Sequence, residues 1–242
     1  MQHRAGSRID RLRPHWLAGA ASALLCATLL ATPLGGAPSA PGAIVGRVTL
    51  TSRMRGVPIG TNAYAPRAVA PHVPSAVPEM RSVVVYLKGL AYSGPLPVTH
   101  AQIRQEHESF SPRVVAITRG STIDFPNVDP YFHNVFSLSG SGTFDLGRSP
   151  DGQSRSRQFL KPGVVKVYCH IHSQMSATIL VLDHPYFVTP EPDGQFTLPN
   201  VPPGDYTLVG WHERVGEQQS RITVASGGTT TADVSLPVGD AR

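Results

Sequence analysis

Glycine and proline divide this chain into short segments, and that punctuation limits the folds it can adopt. There are 23 of each among 242 residues. The runs between them are rich in Val, Ile, Thr, Phe and Tyr, and turn-forming stretches such as "EPDG" (191–194) and "PPGD" (202–205) bound them. Such runs are typical of β-strands. After the first 40 residues no segment keeps the apolar period of a helix, so the sequence predicts an all-β protein.

Twelve β-strands are predicted from this pattern. Their bounds are 43–50, 82–88, 113–117, 122–125, 133–137, 155–160, 164–169, 177–183, 195–198, 205–210, 221–224 and 232–236. The segment 97–110 is the one place whose sequence is compatible with a short helical turn. Residues 53–80, rich in Pro, Ala and Arg, are predicted to be a long loop or linker.

The chain is predicted to have four parts. Residues 1–40 are a signal peptide, 41–81 an N-terminal strand with the Pro-rich linker, 82–183 one β unit, and 184–242 a smaller β unit. The strand at 43–50 is compatible with either β unit.

The first 40 residues have the features of a secretory leader. Four arginines precede the apolar stretch 16–34, and small residues follow it. We therefore expect a periplasmic or secreted protein; a retained membrane anchor is the alternative, and no later segment is apolar enough to cross a bilayer. Removal of the leader leaves 17 basic and 15 acidic residues and lowers the net charge from +5 to +2, so the charge gives no reason to expect a nucleic-acid partner.

Removal of the leader also removes Cys26 and leaves Cys169 as the only cysteine. A single cysteine in an exported protein is compatible with a buried small side chain, an intermolecular disulfide, a reactive thiol or a metal ligand. In "YCHIHSQM" (168–175), Cys169 is followed by His172 and Met175 at equal spacing. All three are soft or borderline metal ligands.

The predicted strand 164–169 and the loop after it can bring these three side chains to one point. Alternation directs Cys169 toward the core with its valine neighbours. A second imidazole is expected from His133, at the start of the apolar strand 133–137, and Asn134 is positioned to hydrogen-bond across to the cysteine loop. Two imidazoles, a thiolate and a weak thioether form the blue-copper ligand set. Two alternatives to a copper site are open. The four residues have no common function, or a zinc site includes His170.

The motif that carries the strongest resemblance runs from "FPNVDPYFHNVFS" (125–137) through "FDLG" (144–147) to "YCHIHSQM" (168–175). It resembles the cupredoxins, in particular amicyanin-like "methylamine utilisation" proteins. The resemblance implies a Greek-key β-sandwich of eight strands in 82–183 with one type 1 copper ion. The ligands would be His133, Cys169, His172 and Met175, with His172 nearest to solvent.

The segment "DGQFTLPNVPPGDYTL" (193–208) resembles the carboxypeptidase-regulatory-like, transthyretin-type β-sandwich modules. That resemblance implies a small non-catalytic module. Residues 184–242 supply only about four of its strands. The module is therefore expected to take strands from 43–50 and the segment after it, or to be completed by packing on the copper unit.

The function implied by these motifs is periplasmic electron transfer, with a dehydrogenase or a cytochrome as the redox partner. No catalytic motif is present, so we expect no enzyme activity. The alternatives are copper sequestration without redox turnover and a structural protein with a vestigial site. Among the remaining polar side chains, His107, His170 and His212 are expected to be exposed and Asp145 to be structural. Trp211 is expected in the core, and Tyr131 and Phe132 at the rim of the site or in the core.

Overall fold

The computed structural model describes residues 39–51 and 79–238. Over these ranges the chain forms eighteen β-strands in several sheets, which confirms the all-β prediction. The strands are β1 (Gly42–Leu50), β2 (Val83–Lys88), β3 (His100–Gln102), β4 (Arg104–Glu106), β5 (Ser109–Ser111), β6 (Val114–Thr118), β7 (Thr122–Pro126), β8 (His133–Ser137), β9 (Phe144–Ser149), β10 (Ser154–Gln158), β11 (Gly163–Tyr168), β12 (Ser176–Leu182), β13 (Phe187–Val188), β14 (Gln195–Val201), β15 (Gly204–His212), β16 (Gly216–Val224), β17 (Thr229–Thr231) and β18 (Val234–Leu236).

Apart from residues 39–40 and 79–80, the predicted signal peptide (1–40) and the predicted linker (53–80) lie outside the described residues. No helix within the described part of the chain has the length and apolar character needed to cross a membrane.

Each of the twelve predicted strands is present, with ends shifted by three residues or fewer, except that β16 begins five residues before the predicted 221–224. The helical turn considered within 97–110 is wrong, because that segment forms β3, β4 and most of β5. Strands β4 and β5 make a hairpin in which Gln105 pairs with Phe110. Ile103, Gln105 and Phe110 are buried, so contacts with the core override the helix-favouring charged residues between them.

Strands β6, β12, β11, β8 and β9 form one sheet, and β10, β7 and β3 form a second. Their inward-facing side chains make a single hydrophobic core, as expected for a β-sandwich. The fully buried members of this core are Ile103, Ile123, Phe125, Val135, Val165, Val167 and Ile179. Cys169 and Met175 belong to the same core, so the predicted metal site lies at the edge of this sandwich.

A second pair of sheets builds the other core. One sheet has the order β13-β2-β15-β16; in the other, β1 pairs with β14, β17 and β18. From its sequence, the strand at 43–50 is compatible with either β unit. Within the described residues it pairs only with C-terminal strands. The prediction grouped strand β2 with residues 82–183. In the structure β2 pairs with β13 and β15. The bounds of the two domains remain a prediction.

The position of β2 between two apolar clusters explains why its sequence does not alternate between apolar and polar residues. Val83, Val85 and Leu87 lie in the core between the second pair of sheets. Val84 and Tyr86 point the other way, into a third apolar cluster. That cluster joins β2 and β15 to the outer face of β6 and β12 through the side chains of Val114, Leu180, Val209 and Trp211. A strand buried on both faces has a continuous apolar run rather than an alternating one.

His212 ends β15, and the expectation that it is exposed is wrong, because its exposed fraction is 0%. Its Nε2 lies 3.0 Å from Glu79 Oε2, and its Nδ1 accepts the backbone N–H of Arg214 at 3.2 Å. A neutral imidazole with its proton on Nε2 satisfies both contacts. Burial lowers the pKa of His212, while Glu79 opposes that shift and Arg214 adds to it. Trp211 is buried, as expected.

The lowered pKa of His212 predicts that the protein loses stability as the pH falls. The unfolded chain binds a proton near its ordinary pKa of about 6.5, and the folded protein binds it only at lower pH. The free energy of unfolding should therefore decrease between pH 7.5 and pH 5, as urea denaturation followed by tryptophan fluorescence would measure. His212→Gln should reduce that slope. His184, whose pKa burial also lowers, supplies a remaining part, and an unchanged slope in the variant would contradict the assignment.

Candidate metal centre

Cys169 follows β11 directly, and the loop 169–175 connects β11 to β12. Along β11, Val165 and Val167 are fully buried, and Tyr168, on the opposite face, is 39% exposed. Cys169 continues the buried face at 5% exposure. The predicted direction of the thiol, toward the core, is therefore present in the structure.

His133 is the first residue of β8 and is fully buried. Strand β11 lies beside β8, with Tyr168 opposite Phe136, and this pairing brings the cysteine loop to the start of β8. Ligand atoms of His133, Cys169 and His172 all lie within 4.8 Å of one another. The Nδ1 atoms of the two imidazoles are 3.0 Å apart. Three of the four predicted ligands thus meet at one point, and we call them the donor cluster.

Met175 closes the loop. Its side chain is 1% exposed and belongs to the same hydrophobic core as Cys169. Its backbone N–H donates to the carbonyl of His172 at 3.0 Å, so a tight turn separates the second imidazole from the thioether. Its role as the fourth ligand remains a prediction.

His170 lies apart from the donor cluster. Its ring is stacked on Phe136, with 3.7 Å between centroids and an interplanar angle of 1°. Its Nε2 is 3.8 Å from Asp145 Oδ2, and both side chains are largely exposed. The exposed position matches the expectation for His170. Its orientation gives no support to a zinc site that combines His170 with Cys169 and His172.

Asn134 joins the two segments that carry the cluster. Its Oδ1 accepts the backbone N–H of His170 at 3.1 Å, and its Nδ2 donates to Asp145 Oδ1 at 2.7 Å. Asp145 also accepts the backbone N–H of Gly147 at 2.8 Å, which is the structural role expected for it. Asn134 is 4% exposed. The cross-strand hydrogen bond predicted from sequence is therefore present.

Asp129 is the site residue that the sequence analysis missed. Its Oδ2 lies 2.8 Å from Nε2 of His133, and its side chain is almost fully buried. Burial alone would raise the pKa of Asp129, but hydrogen bonds from the backbone N–H of Glu108, from His133 and from the backbone N–H of His107 outweigh it and lower that pKa. The only sign of this role in the sequence is that Asp129 stands four residues before the candidate ligand His133. An ordinary aspartate in a turn can stand at the same spacing.

The donor cluster fits a small soft or borderline cation. A carboxylate that accepts the Nε2–H of His133 leaves the lone pair of Nδ1 directed at Cys169 and His172. A separation of 3.0 Å between the two Nδ1 atoms is compatible with two nitrogens on one ion, since metal–imidazole bonds are about 2.0–2.1 Å long. The nitrogen and sulfur donors disfavour Ca²⁺ and Mg²⁺, which bind oxygen.

The donor cluster reaches the surface through His172, which is only partly buried. Exposed apolar side chains precede the two imidazoles in sequence: Tyr131 is 51% exposed, Phe132 55% and Ile171 44%. The ring of Tyr131 lies edge-on to both imidazoles, with centroids 6.3 Å from His133 and 6.5 Å from His172. Tyr131 therefore lines the rim of the cluster.

Comparison with protein families gives one partial match. A family described as polysaccharide lyase family 4, domain II, matches residues 170–232, fewer than half of the 242 residues. No curated protein matches the chain in sequence. The carboxypeptidase-regulatory-like character of 184–242 remains a prediction.

Several solved structures are similar to part of the chain. A copper-containing nitrite reductase from Thermus scotoductus SA-01 is 28% identical, with a TM-score of 0.33; the match covers 40% of this chain and 24% of that one. A purple cupredoxin from Nitrosopumilus maritimus is 26% identical, with a TM-score of 0.31 and coverage of 34% and 99%. A reduced amicyanin mutant is 20% identical, with a TM-score of 0.32 and coverage of 34% and 82%.

The hydrogen bonds of Asn134 predict a measurable contribution to stability. Asn134→Ala leaves the backbone N–H of His170 without its partner, and we expect a loss of about 1–3 kcal/mol in the free energy of unfolding. Asp145→Asn keeps an acceptor oxygen for Asn134 and is expected to cost less. Denaturant titration of the two variants checks both values. Equal stabilities of Asn134→Ala and the unmodified chain would contradict the role given to this amide.

Proposed function

We propose that this chain is a type 1 copper protein that carries single electrons between redox partners. The observation that supports this most is the donor cluster, in which two imidazoles and one thiol lie within 4.8 Å of one another. Two imidazoles and a thiolate in one plane, with a weak thioether on the axis, are the ligands of blue-copper electron-transfer sites.

Each side chain of the set has a distinct role in this proposal. Cys169 would bind the ion as the thiolate, His133 and His172 would supply imidazole nitrogens, and Met175 would be the weak thioether donor that adjusts the reduction potential. A single bound copper ion supplies the one-electron chemistry. The buried surroundings of His133, Cys169 and Met175 keep water from the site and hold the donors in place.

The rim of the site suits brief contact with a redox protein. His172 is the partly exposed donor, the ring of Tyr131 lies beside it, and Tyr131, Phe132 and Ile171 are exposed apolar side chains next to the donors in sequence. Weak redox encounters use small interfaces, below about 1,200 Å². We propose that a dehydrogenase or cytochrome docks there, that the chain is exported, and that it has no catalytic activity of its own.

The spectrum of the purified chain after addition of Cu(II) tests the proposal. We expect an intense blue thiolate-to-copper band and a narrow copper hyperfine splitting in the EPR spectrum. Cys169→Ser should abolish the blue band because it removes the thiolate. The matched control, His170→Ala, changes a side chain outside the donor cluster and should keep it. A colourless protein, or ordinary tetragonal copper, would favour sequestration or a structural role.

Met175→Leu tests whether the thioether adjusts the potential. Leucine has nearly the volume of methionine, so the fold should lose less than about 1.5 kcal/mol. We expect copper to remain bound and the reduction potential to rise, since a donor to the more highly charged ion is lost. Protein-film voltammetry measures this shift. Met80→Leu, in the other hydrophobic core, should leave the potential unchanged; complete loss of copper from Met175→Leu would contradict an axial role.

A further inference from the structure

The carboxylate of Asp129 lies behind the donor cluster and has three hydrogen-bond partners. Its Oδ2 meets His133 Nε2 at 2.8 Å and accepts the backbone N–H of Glu108 at 2.9 Å; its Oδ1 accepts the backbone N–H of His107 at 2.7 Å. Asp129 is 5% exposed. A buried carboxylate is stable only when such partners replace its hydration. The two backbone partners belong to a different part of the chain from His133.

His107 and Glu108 form the two-residue turn of the β4–β5 hairpin, because Glu106 pairs with Ser109 on either side of them. Their φ angles are 54° and 51°. Two successive residues in the left-handed region are required by a type I′ hairpin turn, where Asn and Gly are the favoured residues. His and Glu hold that conformation here while both of their N–H groups bond to one carboxylate.

The hairpin that carries this turn is fixed to the first sandwich. Gln105 is fully buried, and its Nε2 donates to the carbonyl of Phe125 at 2.9 Å. The backbone N–H of Val128 donates to the carbonyl of Gln105 at 3.0 Å. Phe110, on the other strand of the hairpin, is also buried in the core. These buried contacts hold the turn in a fixed position relative to the first sandwich.

The same turn also reaches the cysteine loop. Glu108 Oε2 accepts a hydrogen bond from Gln174 Nε2 at 2.9 Å. Gln174 lies between His172 and Met175 in sequence. The backbone of this two-residue turn thus contacts Asp129, the hydrogen-bond partner of His133. The Glu108 side chain of the same turn contacts the loop that carries His172.

We propose that His107, Glu108, Asp129 and Gln174 form a brace that positions the metal donors before the metal binds. Asp129 fixes the ring of His133, and the Glu108–Gln174 hydrogen bond fixes the loop that holds His172 and Met175. The brace rests on the proposed copper function, and its members are positioning residues that do not bind the ion themselves. A prearranged site reduces the movement needed when copper gains or loses an electron.

Copper release tests the loop side of the brace. Glu108→Ala and Gln174→Ala each remove the same hydrogen bond, so each should accelerate copper transfer to a chelator by about threefold to tenfold. The double variant should be no faster than either single one, because the two residues act as one pair. Glu108→Gln keeps an acceptor oxygen and should restore slow release. Glu106→Ala, on the same hairpin and paired with Arg104, is the matched control and should release copper at the rate of the unmodified chain.

Asp129→Asn tests the other side of the brace. Loss of the carboxylate that orients a metal-bound histidine should lower copper affinity by about 10- to 100-fold and change the copper hyperfine splitting. Unchanged affinity and splitting would overturn the role of Asp129. Additive effects of Glu108→Ala and Gln174→Ala, or release no faster than in Glu106→Ala, would overturn the role of the loop contact.

Hydrogen exchange of the metal-free chain separates the brace from the copper proposal. The backbone amides of His107 and Glu108 should be protected in the unmodified chain and in Glu106→Ala, and should exchange faster in Asp129→Asn. That pattern in a chain that fails to form a blue copper site would overturn the proposed function and support the brace. Fast exchange of both amides in the unmodified chain would overturn the brace, even if the protein binds copper and turns blue.

Discussion

The position of β11 between β8 and β12 is the constraint on which the donor cluster depends. Strand β11 pairs with β12 over its full length and meets β8 only at its last residue, Tyr168. Cys169 follows at once and enters the space beside His133. Because the β8 contact is so short, backbone pairing alone gives little control of the distance between thiol and imidazole. The hydrogen bond from the His170 N–H to Asn134 supplies a second point of attachment at this position.

The sequence predicted the parts of the site that depend on local pattern. Alternation along 164–169 predicted that Cys169 points inward, and its side chain is buried. The position of His133 at the start of the apolar strand 133–137 predicted the second imidazole, and His133 belongs to the donor cluster. The spacing of Cys169, His172 and Met175 needed only a loop between two strands. These features depend on residues close together in the chain, where the period of a strand decides which face a side chain occupies.

The missed features all depend on contacts between distant segments. The role of Asp129 requires the turn at His107 and Glu108, more than twenty residues earlier in the chain. Nothing local distinguishes its carboxylate from an ordinary turn residue. Strand β2 has apolar residues on both faces, and such a strand carries no sign of which sheet it joins. The position of His212 on a strand near an edge predicts an exposed side chain. Its partner Glu79 lies near the end of the Pro-rich segment 53–80, whose sequence has no strand or helix period.

The third apolar cluster shows why the two sandwiches depend on each other. Strands β6 and β12 bury their inner faces in the first core and their outer residues Val114 and Leu180 against β2 and β15. The interface also carries the ion pair of Arg113 with Glu213 at 3.2 Å and the contact of Lys166 Nζ with the ring of Trp211 at 5.9 Å. Without the C-terminal strands this apolar surface would face water. Strand β12 leads directly from the cysteine loop, so the second sandwich supports one end of the donor cluster.

The charges around the donor cluster favour the binding of a cation. In the proposed copper site they would also affect the relative stability of the two oxidation states of the ion. Asp129 and a Cys169 thiolate would place two negative charges near two neutral imidazoles, in surroundings with little access to water. Buried charges of one sign need a counter-charge. A divalent ion balances both anions, and a monovalent ion leaves one negative charge in excess. In the proposed copper site Asp129 would therefore stabilise the oxidised ion relative to the reduced one, whereas the apolar residues around Cys169 and Met175 would favour the state of lower charge. The reduction potential of such a site reflects the balance between the Asp129 carboxylate and the apolar core.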